Sequence, residues 1–263
     1  MKRRGSGKAL IVIICIYLIL PLALTFLYSI FQAWDQLLPR GFTLAYYGEI
    51  FADSAFWMSI LRSLIVSVLP IAVCTAAVLL AMYVIVVHAP WADKYMQVIC
   101  TVPYAVQGIV LAISVLALYA DAPGALSDRV LMLTLTYAVV VLPYMYQGIK
   151  NSLQAVNAAR LIEAAQMLGA GKLFSFFRVV VPNIFSGITI SAMLAMSIMF
   201  GDFVIVNIIG GNYFETSQMY LYKEMFSSGQ MTSAIIVVLF LVTLAISGFV
   251  FYYRNKQDAS QEE

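Results

Sequence analysis

A chain of 263 residues that is 63% hydrophobic and only 11% charged cannot cover a water-facing surface, because soluble domains carry about 25% charged residues. Its net charge of +2, spread along the chain with no patch of interleaved aromatics and cations, argues against nucleic acid as a partner. A single histidine, His88, and three cysteines inside apolar runs, Cys15, Cys74 and Cys100, argue against a histidine-cluster metal site, Ser-His catalysis or a disulfide framework, so no catalytic or metal-ligating residue is assigned.

Six apolar runs approach or exceed the roughly 20 residues a helix needs to cross the hydrocarbon core. They cover about 9–31, 63–87, 96–119, 130–149, 184–200 (with a continuation toward 209) and 233–253. The first follows Lys2, Arg3 and Arg4 but exceeds the apolar core of a signal peptide, about 7–15 residues, and lacks a clear small-x-small cleavage pattern. It is read as an uncleaved first span. Backbone polar groups in lipid must be satisfied within the segment, so the expected class is an all-α bundle of six transmembrane helices. The alternation of a membrane barrel is absent. Residues 1–263 are read as one transmembrane domain.

The positive-inside rule sets the expected orientation. With a cytoplasmic N-terminus, eleven of the fifteen basic residues fall inside, among them Lys94, Lys150, Arg160, Lys172 and Arg178. Four fall outside: Arg40, Arg62, Arg129 and Lys223. The outer segments hold Asp35, Glu49, Asp53, Asp121, Asp128, Asp202, Glu215 and Glu224. Both termini are expected in the cytoplasm of a multi-pass protein. Outer segments 32–59 and 210–232 are long enough for short surface helices. Trp34, Trp57 and Trp91 read as interfacial anchors.

The connection 150–183 between the fourth and fifth runs carries the densest pattern. Ala155, Ala158, Ala159, Leu161, Glu163, Ala164, Ala165, Met167 and Leu168 favour helix. Gly169 and Gly171 offer a stop. A second amphipathic stretch, Leu173, Phe174, Phe176 and Phe177 beside Lys172 and Arg178, precedes Pro182, a residue tolerated in the first turn of the next helix. The residues alone leave two readings open: a docking element with a small Ala164–Ala165 face, or an interfacial helix lying on the bilayer.

The spacing Glu163-Ala164-Ala165, three residues, Gly169, nine residues, Val179, one residue, Val181-Pro182 resembles the E-A-A loop of ABC importer permeases, with valine at two apolar positions. The whole chain is similar to the second permease subunit of the spermidine/putrescine-type group, which includes phosphonate and ferric-iron importers. The resemblance implies a type I importer permease fold with cytoplasmic coupling helices, in the bacterial cytoplasmic (inner) membrane. It implies that Glu163, Ala164, Ala165, Gly169 and Pro182 form the contact with a separate ATPase dimer. That ATPase would bind ATP–Mg, since G-x-x-x-x-G-K-[ST] is absent here and the chain itself needs no cofactor. It also implies a second permease subunit, a heterodimer before a homodimer, and an extracytoplasmic solute-binding protein.

Polar groups within apolar runs usually face a cavity. Asp202, Gln107 and Asn207 are therefore the candidates for the substrate path, with Asp202 first because related permeases carry an acidic residue there. Where that family has a second proline, this chain has Gln107. Pro21, Pro70, Pro103 and Pro143 mark expected kinks. Gly210-Gly211-Asn212-Tyr213 is a candidate turn dipping toward the path. The acidic outer segments favour a polyamine-like cation, with phosphonate, thiamine or ferric iron open. The chain is read as a transport subunit and not an enzyme. The alternatives are a secondary active transporter, for which no internal repeat is visible, and an intramembrane enzyme, for which a second aspartate or a histidine within a span is missing.

Overall fold

The computed structural model describes residues 3–34, 39–106 and 108–259. The apolar runs become helices because a helix satisfies its own backbone along one continuous stretch. Helix α1 (Arg3–Ser29) leads into a short antiparallel pair, β1 (Phe31–Ala33) and β2 (Arg40–Phe42), in register Phe31 to Phe42 and Ala33 to Arg40. Helices α2 (Ala45–Ala52) and α3 (Ser54–Val87) follow. A 3-10 turn at Pro90–Ala92 opens α4 (Asp93–Thr101), and another at Val102–Ala105 separates it from α5 (Gly108–Tyr119). Asp128 caps α6 (Arg129–Ala155), its Oδ1 accepting from the Leu131 amide at 2.9 Å.

The connection beyond α6 holds α7 (Ala158–Met167), α8 (Lys172–Ser175), a π turn (Phe176–Val180) and α9 (Val181–Asn183). Helices α10 (Phe185–Phe200), α11 (Val204–Ile209), α12 (Ser217–Glu224) and α13 (Gly229–Ala259) complete the order.

Among the described residues, α3, α6 and the Gly229–Gly248 part of α13 are each long and apolar enough to cross a membrane unaided. Two further spans exist only as bent pairs. Pro90–Ala105 meets Gly108–Tyr119 at 96°, and Lys172–Asn183 meets Phe185–Phe200 at 65°. The expected first span, 9–31, lies largely within α1 (Arg3–Ser29).

The kink expected at Pro103 is a full break in the third span, while the fifth run, 184–200, forms the continuous α10 with a bend at either end. Pro103 has no N–H to donate and sits in the 3-10 turn that ends α4. Ile184, at φ −100° and ψ 4°, leaves helical geometry just after Pro182. A second interruption follows at Gly201–Phe203, between α10 and α11. Pro21, Pro70 and Pro143 lie inside continuous helices instead. The segment 32–59, expected to lie outside, contains the short helix α2 together with most of the β1–β2 pair and the start of α3, neither of which the sequence predicts.

The chain divides into two compact units. The first comprises Met1–Ser59 and Met219–Gly248. Within it the Tyr220 hydroxyl donates to Asp53 Oδ2 at 2.7 Å, and the Tyr220 ring meets Phe56 edge to face at 5.5 Å. The second comprises Ile60–Gln218 and Phe249–Glu263 and holds the candidate site. Its core includes Tyr137, Tyr146, Phe176 and Ile149, all fully buried.

Candidate functional site

The α6–α10 connection is held on a tightly packed helix pair. Two Gly-x-x-x-Ser segments, Gly148 to Ser152 on α6 and Gly187 to Ser191 on α10, face each other. A Cβ added at Gly148 would collide with the Ser191 side chain, and one at Gly187 would collide with Ser152. Each serine hydroxyl donates back to the glycine carbonyl four residues earlier, Ser152 to Gly148 at 2.8 Å and Ser191 to Gly187 at 2.9 Å. Small residues let helix backbones approach within lipid, where hydrophobic burial gives no helix-on-helix drive.

Beyond this contact the chain turns at Asn157, which adopts φ 53°. Asparagine is among the few residues that visit the left-handed region readily. Ala158 and Ile162 bury one face of α7, while Glu163 and Ala164 lie exposed on the other and Ala165 is half-buried. The helix ends in a Schellman turn around Gly169 at φ 88°. The Gly169 amide donates to the Gln166 carbonyl at 2.9 Å and the Ala170 amide to the Ala165 carbonyl at 3.1 Å. Met167 and Leu168 stand at this tip, 88% and 90% exposed.

The second limb is anchored by aromatic packing. Phe176 is fully buried, and its ring lies 5.4 Å from Tyr83 of α3 in an edge arrangement. Phe177 and the lone histidine, His88, also flank Tyr83. His88 is thus part of an aromatic cluster. Pro182 sits in the first turn of α9, where its missing N–H is tolerated.

The five residues of the E-A-A pattern are spread along the α6–α10 connection. Glu163, Ala164 and Ala165 lie on α7, Gly169 closes it, and Pro182 opens the short helix leading to α10. Sequence reasoning counted Met167 and Leu168 only as helix formers. Their near-complete exposure beside a polar turn is a property of the fold, although two apolar residues just before a stopping glycine were a usable signal.

A second constellation forms where α10 breaks. Asp202 Oδ1 accepts from the Val204 amide at 2.9 Å in an Asx turn just before α11. Its Oδ2 accepts from the hydroxyl of buried Tyr137 at 2.8 Å. Asp202 is half-buried, and Asn207 is exposed on α11. Gln107 lies outside the described residues, but its neighbour Gly108 is close to Ile205, to whose Cδ1 an added Cβ would come within 3.3 Å. The breaks of the third and fifth spans thus meet, and discontinuous helices that expose backbone ends are where transporters build solute sites.

A third cluster carries no local sequence signal. Asp93, the first residue of α4, pairs with Lys150 Nζ at 2.8 Å. The Tyr146 hydroxyl bridges them, donating to Asp93 Oδ1 and accepting from Lys150, each at 3.2 Å. Lys150 had been read only for orientation.

A membrane bundle with broken spans and an exposed, glycine-ended element between its fourth and fifth helical runs defines the transmembrane subunit of a transporter. Residues 75–260 match the family described as binding-protein-dependent transport system inner membrane component, and the chain belongs to that family. It is a permease component of an ABC importer.

Three relatives stand out. The chain is 27% identical over 176 residues to the probable ABC transporter permease protein y4fN of Sinorhizobium fredii, covering 64% of this chain and 30% of that one. It is 20% identical over 200 residues to the putative 2-aminoethylphosphonate transport system permease protein PhnV of Salmonella typhimurium, covering 76% and 75%. It is 27% identical over 247 residues to the putrescine transport system permease protein PotI of Escherichia coli K12, covering 90% and 86%. The chain thus spans under a third of the y4fN relative's length. In fold it matches the crystal structure of a bacterial ABC transporter involved in the import of the acidic polysaccharide alginate, at a TM-score of 0.73 and 15% identity, over 97% of this chain and 96% of that one.

Proposed function

We propose that this chain forms half of the translocation pathway of a polyamine importer in the cytoplasmic (inner) membrane, with α7 as its handle for a separate ATPase. The observation that carries this reading is the α7 tip. An exposed Met167–Leu168 pair, with Glu163 and Ala164 exposed on the preceding turns, stands at a fixed glycine turn on the tightly packed α6–α10 pair. Exposed apolar side chains at an aqueous face call for a partner surface. The ATPase groove receives this tip, with Ala164 and Ala165 allowing close approach and Glu163 meeting a basic or polar group. Pro182 fixes the course of the chain into α10. The ATPase dimer binds ATP–Mg and drives the pathway between inward and outward openings.

A second permease subunit, a different chain before a second copy, completes the pathway, and a solute-binding protein delivers the cargo to the outer face. Both termini lie in the cytoplasm, following the distribution of basic residues, and the whole chain acts as one transmembrane domain. Asp202 and Asn207, with Gln107, lie on the solute path.

The polyamine assignment rests on similarity over 90% of the chain to a putrescine permease and on acidic outer segments. An aminoalkylphosphonate is the second reading, carried by the similarity to a 2-aminoethylphosphonate permease. The test is uptake by vesicles holding this chain with its genomic-neighbour permease, ATPase and binding protein. ATP-dependent accumulation of labelled putrescine is expected, and Glu163→Lys or Gly169→Asp should abolish it while membrane insertion persists. Accumulation of 2-aminoethylphosphonate instead would overturn the substrate, and full uptake by both variants would overturn the docking role.

A further inference from the structure

The coupling element is linked to the third span by more than helix packing. We infer that Asp93, Lys150 and Tyr146 form a strut that carries the displacement of the α6–α7 junction into α4, and through it to the 3-10 turn at Val102–Ala105. This inference rests on the reading of α7 as the ATPase handle.

Three observations place the strut. Asp93 and Lys150 form an ion pair that joins segments 57 positions apart in the chain. Its side chains are 16% exposed for Lys150 and 38% for Asp93, so water screens it only in part. The carboxylate also stands in the first turn of α4, where the helix dipole favours negative charge. Its geometry is over-determined: Lys150 Nζ reaches Asp93 Oδ2 at 2.8 Å and Gln97 Oε1 at 3.3 Å, one turn further along α4. Tyr146, one turn before Lys150 on α6, reaches the other carboxylate oxygen. Two successive turns of α6 are therefore bonded to two successive turns of α4.

The surroundings make this link mechanical. A cavity of about 440 Å³ lies beside it, lined by Met82 and Ile85 of α3, by Asp93 and Lys150, and by Asn157 and Ala159 at the root of α7. Close packing there is incomplete, so the α7 root can shift against α3 while the polar bonds hold α6 to α4. On α4 the strut ends about two turns before the 3-10 turn at Val102–Ala105, where the third span bends. A pull on α7 then acts on the bend through Asp93 and Gln97, without needing a solute contact of its own.

The test separates docking from transmission. The chain is reconstituted with its partner permease, ATPase and binding protein, and three quantities are read: ATPase retained on purification, solute imported, and solute imported per ATP hydrolysed. Asp93→Asn and Lys150→Met should retain the ATPase at wild-type yield but import several-fold less solute per ATP. The charge-exchanged pair Asp93→Lys with Lys150→Asp should recover most of that ratio, and Lys150→Arg should leave it near wild type. A merely structural role would lower yield and leave the ratio of the surviving complexes unchanged, and that result would overturn the strut. Wild-type ratios in both single variants, or no recovery in the exchanged pair when it folds, would also overturn it. If wild type itself retains no ATPase, the docking reading fails and the strut fails with it. Should a single variant fail to fold, Tyr146→Phe, which keeps the ion pair but frees one carboxylate oxygen, must still lower the ratio.

Discussion

Gly148 of α6 and Ser191 of α10 occupy the same space from opposite sides: the glycine has no side chain because the serine fills its place. The reverse arrangement, Ser152 over Gly187, lies one turn further along α6. The two helices that carry the connection 156–184 are thereby keyed together at its base. A force on α7 is received by a pair and not by one compliant helix.

Gly148→Val should therefore be among the most disruptive single changes in the chain. Overpacking commonly costs about 1–3 kcal/mol, and here the obstacle is a side chain rooted on the facing helix. Thermal unfolding of the detergent-solubilised protein should shift down by several degrees for Gly148→Ala and further for valine. Adding Ser191→Gly to Gly148→Ala empties the opposing space and should restore most of the loss. Ser191→Ala alone should change little, because the hydroxyl bonds its own helix at Gly187.

Gly169 poses a purely conformational requirement. Nothing lies within 4 Å of a Cβ built there, yet φ is 88°. Gly169→Ala should cost about 1 kcal/mol through backbone strain, with no steric term. Gly169→Asn, better suited to the left-handed region, should be milder. Uptake measured against surface expression should rank wild type, asparagine, alanine in that order.

Asp202 can be tested for two different roles. In a structural role, its oxygens hold Tyr137 and the Val204 amide at the start of α11. Hydrogen bonds to a charged group contribute about 1.5–3 kcal/mol, so Tyr137→Phe should lower the melting temperature with solute affinity unchanged. Asp202→Asn keeps an acceptor for the Val204 amide but removes the charge. A rise in the half-saturating polyamine concentration of tenfold or more, at matched expression, would mark Asp202 as a cation contact on the path. An unchanged value with lowered stability would make it structural only.

The legible and illegible parts of this structure differ in physical kind. Apolar runs reported where helices lie, since lipid solvation acts on composition summed over about 20 residues. The glycine turn at 169 was legible because a Schellman stop depends on one residue and its near neighbours. The break at 201–203 was not, because hydropathy does not register a lost backbone bond, and the kink expected at Pro103 did not foretell that α4 would end there in the turn Val102–Ala105. Of four in-run prolines only Pro103 marks an interruption, so proline alone was a poor guide. The pairs Asp93–Lys150 and Tyr137–Asp202 span 57 and 65 positions, and no local pattern encodes such partners. The keyed glycines were present as two Gly-x-x-x-Ser segments, visible in retrospect as a pair with the same spacing.

The α7 tip gives the sharpest separation between folding and assembly. Met167 and Leu168 are 88% and 90% exposed, so their substitution removes almost no contact within this chain. Surface changes of that kind usually stay within about 0.5 kcal/mol. The double variant Met167→Ser with Leu168→Ser should therefore melt with wild type and insert normally. If the ATPase groove receives these side chains, as proposed, burying each one contributes about 1.5–3 kcal/mol. Even a total loss of about 3 kcal/mol corresponds to roughly a hundredfold weaker association. Co-purification of the ATPase should fall to near background, and ATP-driven uptake with it, while the isolated permease is unchanged. Retention of the ATPase by this variant would show that the tip is not the gripped surface, and would move the contact to the Glu163–Ala164 side of the same helix.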